Sequence, residues 1–228
     1  MTTQTLYAKR SIEPMNKTEY KKRFNRLYSN LLGASAAFYA WKGLQNKNYE
    51  SLYARANYFW GAVLIALQNE WLLGLAKCFE DSKYSKDGKV ISVQALLAHH
   101  PDSIRAGEVE DILRKHRKVI LSISRLRDHQ LAHLNAGHLA SPSTLLKKFP
   151  IKYEEVEDLL KDFPEVISLL DPESGIYYVL DNYTKEPERE AKNIMEKISY
   201  FYKKEKEHLD KFVAGEVNNH SFPPESTS

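Results

Sequence analysis

Arg127 lies on a helical stripe that is mostly aliphatic. Residues spaced three and four apart fall on one side of an α-helix. Seven such positions follow one another in this chain: Leu113, His116, Ile120, Ile123, Arg127, Leu131 and Leu134. A guanidinium keeps its proton, and burying it without a partner costs several kcal/mol. Arg127 therefore needs either an ion-pair partner or a ligand.

His133 lies six residues after Arg127, and Asp128 follows Arg127 directly. A neutral imidazole can accept or donate a proton near pH 7. The planar guanidinium fork matches the oxygens of a phosphate or a carboxylate. On a straight helix, six residues place two side chains about 120° apart around the axis. We therefore expect either a long reach by Arg127 or a second subunit to bring the two groups together.

Structural roles compete with this interpretation. Arg127 has no carboxylate three or four positions away, but it can pair with one on another helix, such as Glu70. Asp128 lies three positions after Arg125, and such a surface pair stabilises a helix only slightly. His133, near the end of its helix, favours the negative end of the helix dipole.

A metal site is the other alternative at this place. His129 and His133 are four residues apart, and His138 follows as a possible third ligand. No carboxylate or cysteine completes a recognisable ligand pattern there. The chain also has no Gly-rich phosphate loop and no nucleophile elbow. We therefore predict neither a metal nor a cofactor.

Composition and charge narrow the class of protein. Of the 228 residues, 43% are hydrophobic and 28% are charged, as in ordinary globular proteins. The formal net charge of +3 is too small to indicate a polyanionic partner by itself. The single cysteine, Cys78, excludes an internal disulfide framework and is expected to be a small core residue. The first residues lack the apolar core of a signal peptide, and the longest apolar run, residues 58–67, is shorter than a membrane span of about 20 residues. We predict a soluble, cytoplasmic protein with no membrane partner.

Helical periodicity dominates the chain, and strand signals are confined to residues 176–180. The pattern predicts long helices over residues 17–44 and 49–79. A third should start between residues 103 and 109 and end near residue 135, with Gly137 as the cap, and a fourth should cover 153–170 with an interruption at Pro164. A last helix should begin near Thr184, with Pro187 in its first turn. Short helices are expected at residues 90–98, after a loop at 80–89, and after Ser141-Pro142-Ser143.

These elements predict an all-α fold, a helical bundle of four to five main helices plus short connecting helices. The helix at residues 49–79 is apolar almost all round its middle, which indicates burial on several sides or a subunit interface. We divide the chain into a flexible N-terminal arm (1–15), one helical domain (16–213) and a disordered C-terminal tail (214–228).

The stripe and its motif resemble the HEPN superfamily. The hallmark of that superfamily is an Arg, four to six residues and then a His, usually with a polar residue directly after the Arg. Here five residues separate Arg127 from His133, Asp128 holds the polar position, and the match continues through Ala132-His133-Leu134-Asn135. The preceding apolar helix, with Ala66-Leu67-Gln68, Leu75-Ala76 and Glu80-Asp81, is similar to the abortive-infection (Abi-U type) branch. The likeness covers residues 49–139 and extends to about residue 212, so the domain is expected to be HEPN-like.

The resemblance implies a metal-independent endoribonuclease of a toxin–antitoxin or phage-defence type, with Arg127 and His133 as the catalytic pair and Asp128 in support. His133 would deprotonate a ribose 2′-hydroxyl or protonate the leaving 5′-oxygen, and two imidazoles across a homodimer could do both. Arg127 would stabilise charge on the phosphate oxygens. The expected products are a 2′,3′-cyclic phosphate and a 5′-hydroxyl, and the required 2′-hydroxyl would select RNA. An antitoxin or activator protein is a further expected partner.

Other HEPN proteins are non-catalytic RNA-binding or dimerisation modules, and this is the alternative function. Some branches carry a Tyr two residues after the motif His that a partner enzyme modifies, but this chain has Asn135 there. Four basic residues beside the stripe could follow an RNA backbone, although a solvated face is the commoner role: Arg114, Lys115, Arg117 and Lys118. His116 itself is expected to be a hydrogen-bonded core residue.

Overall fold

The structure is a computed structural model that describes residues 15–80, 90–136, 151–171 and 179–214. Side chains are described throughout these ranges except at residues 47, 129–136 and 179–184. This part of the chain forms eight α-helices and one 3-10 turn (Lys47–Tyr49), and it contains no strand. The helices are α1 (Lys17–Leu44), α2 (Glu50–Arg55), α3 (Asn57–Cys78), α4 (Val93–Leu97), α5 (Ser103–Lys115), α6 (Arg117–Ala136), α7 (Tyr153–Leu170) and α8 (Val179–Val213). The predicted all-α class is confirmed.

Helix α1 lies at the centre of the bundle, because it packs along both α3 and α8. Its side chains Phe24 and Phe38 are fully buried, and the ring of Phe38 meets that of Trp71 on α3 edge to face at 5.5 Å. A Cβ atom on Gly74 would lie 2.8 Å from the Cβ of Ala34. The absence of a side chain at Gly74 therefore lets α1 and α3 approach closely.

The remaining helices extend this core on two sides. Helix α5 packs against α7, and α6 contacts α3. A smaller cluster joins Leu44 at the end of α1 and Leu52 of α2 to Ala191 and Met195 of α8. The helix that carries Arg127 is thus fixed to the bundle mainly through α3.

Polar side chains define where several helices begin. Asn16 accepts a hydrogen bond of 2.8 Å from a backbone N–H in the first turn of α1. Ser92 does the same for α4 at 3.2 Å, and Asp102 accepts two such bonds at the start of α5. Each cap satisfies donors that the helix itself leaves unpaired.

Two predicted long helices are each divided in two. The helix predicted at residues 49–79 is interrupted at Ala56 (φ −139°, ψ 53°), and the helix predicted to end near residue 135 is interrupted at His116 (φ −98°, ψ 8°). The break at His116 does not change which side of the helix is apolar, because Leu113 and Ile123 on either side of it are both buried. The spacing of the apolar residues therefore gives no sign of such a break.

The two predictions based on proline are wrong. Helix α7 continues through Pro164, since the buried side chains Phe163 and Val166 on both sides of it pack into the core and outweigh the lost hydrogen bond. The last helix begins at Val179 rather than near Thr184, so Pro187 lies inside α8. Residues 179 and 180 are helical and not extended.

Several predicted segments lie outside the described residues. These are most of the arm (1–14) and tail (215–228), most of the loop (81–89), the cap at Gly137, the short helix after Ser141-Pro142-Ser143 and positions 176–178 of the strand signal. The division into arm, domain and tail therefore stays a prediction.

Helix α3 is apolar but only partly covered by its own chain. Tyr58 is 91% exposed, Phe59 61% and Ile65 57%. By length and composition α3 is also the one helix among the described residues that could cross a membrane, with a mean hydropathy of 1.3 over its most apolar window, of which 28% is buried. The apolar run at residues 58–67 therefore gave too short a length for the apolar part of this helix. The absence of a membrane partner stays a prediction.

Candidate functional site

The guanidinium of Arg127 is largely buried and held by two carboxylates. Its side chain is 16% exposed, and its Nη1 lies 3.5 Å from Oε1 of Glu80, just beyond the end of α3. Its Nε and Nη2 both donate to Oδ1 of Asp128, at 2.9 and 2.7 Å. Three of the five guanidinium N–H donors at most are engaged in this way. The remaining N–H groups can donate hydrogen bonds to an anionic ligand.

These partners differ in part from those expected from the sequence. Arg127 does pair with a carboxylate on another element, but the partner is Glu80 and not Glu70, which lies about three helical turns earlier. Asp128 pairs with Arg127 itself, and no contact between Asp128 and Arg125 is found among the described side chains. With one cation and two carboxylates, the cluster carries a formal charge of −1.

His133 lies on the same unbroken helix as Arg127, because α6 runs from Arg117 to Ala136 without interruption. A continuous helix between them places the two residues about 9 Å apart along its axis. The side chain of His133 is outside the described set, as are those of His129 and Gln130. The approach of the imidazole to Arg127 therefore stays a prediction.

His116 is a buried, hydrogen-bonded histidine at the break between α5 and α6. Its side chain is 6% exposed, and its Nε2 lies 2.7 Å from Oδ2 of Asp162 on α7. Lys115 reaches the same oxygen at 2.7 Å. Although burial by itself would raise it, hydrogen bonds from Lys115 and His116 lower the pKa of Asp162 below its ordinary value. The expectation of a satisfied core histidine agrees with this geometry.

The basic cluster beside the stripe is largely matched by acidic residues. Arg114 pairs with Asp111 at 2.9 Å, Lys115 with Asp162 and Lys118 with Glu155 at 3.5 Å, and the side chain of Arg117 is exposed. A groove of about 520 Å³ at this corner of α5, α6 and α7 is lined by three lysines and three carboxylates: Lys115, Lys118, Lys161, Glu155, Asp158 and Asp162. This surface therefore has little excess positive charge with which to attract a polyanion.

The described part of the chain contains no further candidate site for metal or thiol chemistry. No group of three or more His, Cys, Asp or Glu side chains is placed to hold a metal ion there. Cys78 is a free, fully buried cysteine, and burial raises the pKa of its thiol to about 12. Its predicted role as a small core residue is confirmed.

Sequence reasoning missed Glu80 as the partner of Arg127. A usable signal was present, since Glu80 follows Leu72 and Ala76 in steps of four, and both of these are fully buried. Glu80 thus follows the buried side of α3 two residues beyond the end of that helix, and Arg127 interrupts an apolar stripe on α6. Opposite charges at the buried sides of neighbouring apolar helices are expected to pair.

Comparison with known proteins assigns the chain to a family. The model of the HEPN-type AbiU2 family matches residues 17–207, well over half of the 228 residues. The match includes both α3 and the Arg127–His133 motif. Neither the search of curated proteins nor the search of solved structures found a match. The chain therefore belongs to the AbiU2 family of HEPN-type abortive-infection proteins.

Proposed function

We propose that this protein is a metal-independent endoribonuclease that acts in the cytoplasm as part of a toxin–antitoxin or phage-defence response. The observation that carries the proposal is the largely buried Arg127, on the same unbroken helix as His133, within a chain that the AbiU2 family covers from residue 17 to residue 207. Arg127 supplies the anion-binding group, and His133 supplies the proton-transfer group.

Arg127 binds the scissile phosphate by exchanging one carboxylate for it. A phosphate cannot simply be added, because the cluster already carries a formal charge of −1. Glu80 is the group that leaves, since its contact of 3.5 Å is longer than the two hydrogen bonds of 2.9 and 2.7 Å to Asp128. Asp128 remains and orients the guanidinium, so that it acts on Arg127 rather than on the imidazole. The freed donors then stabilise charge on the non-bridging oxygens.

His133 carries the proton transfer. A neutral imidazole removes the proton from a ribose 2′-hydroxyl, the 2′-oxygen attacks phosphorus, and the bond to the 5′-oxygen breaks after that oxygen receives a proton. The products are a 2′,3′-cyclic phosphate and a 5′-hydroxyl. A single imidazole cannot be base and acid in the same step, so a second copy of the chain supplies the other one.

A homodimer has support from the surface of α3. Tyr58, Ala62 and Ile65 follow one another in steps of four and three on its exposed side, and an uncovered apolar stripe on a helix is typical of a protein interface. An antitoxin or activator protein is the further partner, since a nuclease of this kind has to be restrained in the cell.

Cleavage of total cellular RNA in EDTA tests the proposal. Wild-type protein should produce fragments that end in 2′,3′-cyclic phosphate, and His133→Ala should produce none while keeping its fold by circular dichroism. His129→Ala on the same helix is the matched control and should cleave. Full activity of purified His133→Ala would contradict the assignment.

A non-catalytic RNA-binding or dimerisation module is the second candidate. It is favoured by the ion pairs of Arg127 with Glu80 and Asp128, which are the contacts of a purely structural arginine. In that case wild-type protein should not cleave RNA, expression should not be toxic, and Arg127→Ala should reduce stability or dimerisation. Toxicity that disappears with His133→Ala separates the two functions.

A further inference from the structure

An aromatic slot lies between the start of α3 and the middle of α8, far from Arg127. It has a volume of about 470 Å³ and is lined mainly by Phe59, Trp60, Lys197, Ile198, Phe201 and Tyr202. Volumes of this size are typical of ligand pockets. Two of the rings are open to solvent, since Phe59 is 61% and Phe201 67% exposed. Exposed aromatic rings on facing helices are unusual unless something covers them.

The rings that line the slot are fixed by contacts behind them. Trp60 meets Tyr53, which is outside the lining, at a ring distance of 5.9 Å, and the guanidinium of Arg55 lies 4.8 Å from the ring centre of Tyr202. Arg55 also pairs with Glu205 at 3.7 Å. Trp60 and Tyr202, at the back of the slot, are therefore held in place before a ligand binds.

The charges at the slot indicate what the ligand is. Lys197 is exposed at the rim, and among the described residues no carboxylate pairs with it. Lys204 lies two turns further along the same side of α8; it pairs with the exposed Glu207 at 2.7 Å, and its Nζ lies 5.9 Å from the ring centre of Tyr200. A planar apolar slot with cations along its edge fits a ligand that has flat rings and a negative backbone.

We propose that this slot binds single-stranded RNA, with a base stacked against Phe59 and Phe201 and the adjoining phosphates on Lys197 and Lys204. Stacking on aromatic side chains accepts any base, and lysines along the groove follow the backbone. An apolar protein segment fits less well, because Ile198 is the only long aliphatic side chain in the lining and it would leave Lys197 at the rim without an acidic partner. Duplex RNA does not fit, since its bases are stacked and paired.

The inference rests on the proposed function in taking RNA as the ligand, but its test does not need cleavage. Fluorescence anisotropy of a labelled 12-nucleotide oligouridine measures binding to His133→Ala protein in EDTA. In that background Phe59→Ala/Phe201→Ala should weaken binding at least fivefold, as expected for the loss of base stacking. Lys197→Gln should weaken it and lower the slope of log affinity against log salt by about 0.7. Ile104→Ala is the matched control, because Ile104 is 75% exposed on α5, and it should change nothing.

Trp60 gives a second readout of the same site. Trp41 and Trp71 are buried, at 5% and 1% exposure, so that quenching of tryptophan fluorescence by oligouridine should come from Trp60. Trp60→Phe should abolish the quenching and keep most of the affinity.

Three results would overturn the inference. The first is equal affinity for oligouridine with and without Phe59→Ala/Phe201→Ala, and the second is no binding of oligouridine by any form. The third is a fall of the molar mass from dimer to monomer in the double variant, which would make the slot a subunit contact. Slot-dependent binding by a protein that never cleaves RNA would instead uphold this inference and refute the proposed nuclease. Cleavage that is indifferent to the slot would do the reverse.

Discussion

The contact between Arg127 and Glu80 allows a quantitative test of how the motif arginine is held. At an effective dielectric constant of about 20, two unit charges 3.5 Å apart attract each other by roughly 5 kcal/mol. Most of this is offset, because both groups lose part of their hydration and two long side chains lose freedom. With side-chain exposures of 16% and 28%, the pair is intermediate between an exposed and a buried one. We expect a net coupling free energy of about 1 kcal/mol.

A double-mutant cycle measures this coupling. The free energy of unfolding in urea at pH 7 is determined for wild type, Glu80→Ala, Arg127→Ala and the double variant. Arg127→Ala should cost about 1–2 kcal/mol, since it also loses Asp128 and the packing of its aliphatic stem, and the midpoint of thermal unfolding should fall by about 2–8 °C. Arg125→Ala, an exposed position on the same helix, should change stability by no more than about 0.5 kcal/mol.

The cycle also decides how Arg127 variants are to be interpreted. A coupling below about 0.3 kcal/mol is within the additivity of independent sites, and it would refute the pairing with Glu80 and leave Asp128 as the carboxylate that holds the guanidinium. A coupling near 1 kcal/mol means that loss of cleavage in Arg127→Ala combines catalysis with stability. His133→Ala is then the cleaner test of the chemistry.

Four further predictions concern the bundle itself. Gly74→Ala should destabilise by about 1–3 kcal/mol, because the new Cβ would lie 2.8 Å from that of Ala34. Gly33→Ala, with nothing within 4 Å of its Cβ, should stabilise by about 0.5–1 kcal/mol, and urea unfolding checks both. Asp162→Asn should lower the free energy of unfolding by about 1–3 kcal/mol at pH 7. Since folding lowers the pKa of Asp162, the stabilisation from its carboxylate is present above about pH 4 and is lost as the pH falls through the folded-state pKa. The stabilities of wild type and variant should therefore converge in acid. Cys78, whose thiol pKa is raised to about 12 by burial, should react with a thiol reagent only after unfolding, and rapid reaction of the native protein would contradict its buried position.

The helices were predictable where one periodic pattern coincided with a cap. Residues 17–44 were predicted and are found as α1, because the buried residues recur with a helical period from Tyr20 onwards and the side chain of Asn16 caps the first turn. The breaks at Ala56 and His116 were not predictable, since a change in the backbone of one residue leaves the period of the stripe intact. Pro164 was misjudged for a related reason, because a local rule was outweighed by burial on both sides of it.

The candidate site was only half predictable. The motif is local in sequence, so spacing singles out Arg127, Asp128 and His133 as candidates, and their catalytic roles stay predictions. The identity of the buried partner depends on how α3 lies against α6, and no local spacing contains that information. Glu70 and Glu80 are both carboxylates of the same apolar segment, and only the tertiary structure selects Glu80.

Helix α3 connects the two places where RNA is proposed to bind, and this has a measurable consequence. The slot includes Phe59 near the start of α3, and Arg127 is tied to Glu80 just beyond its end. Along a helix these positions are about 32 Å apart, a distance that about nine stacked nucleotides would span at 3.4 Å each. Oligouridine of 12 nucleotides should therefore bind much more tightly than one of 4, which cannot occupy both places. In Phe59→Ala/Phe201→Ala protein the gain in affinity with length should largely disappear. A gain that survives in this variant would show that the additional contacts of long RNA lie elsewhere on the surface.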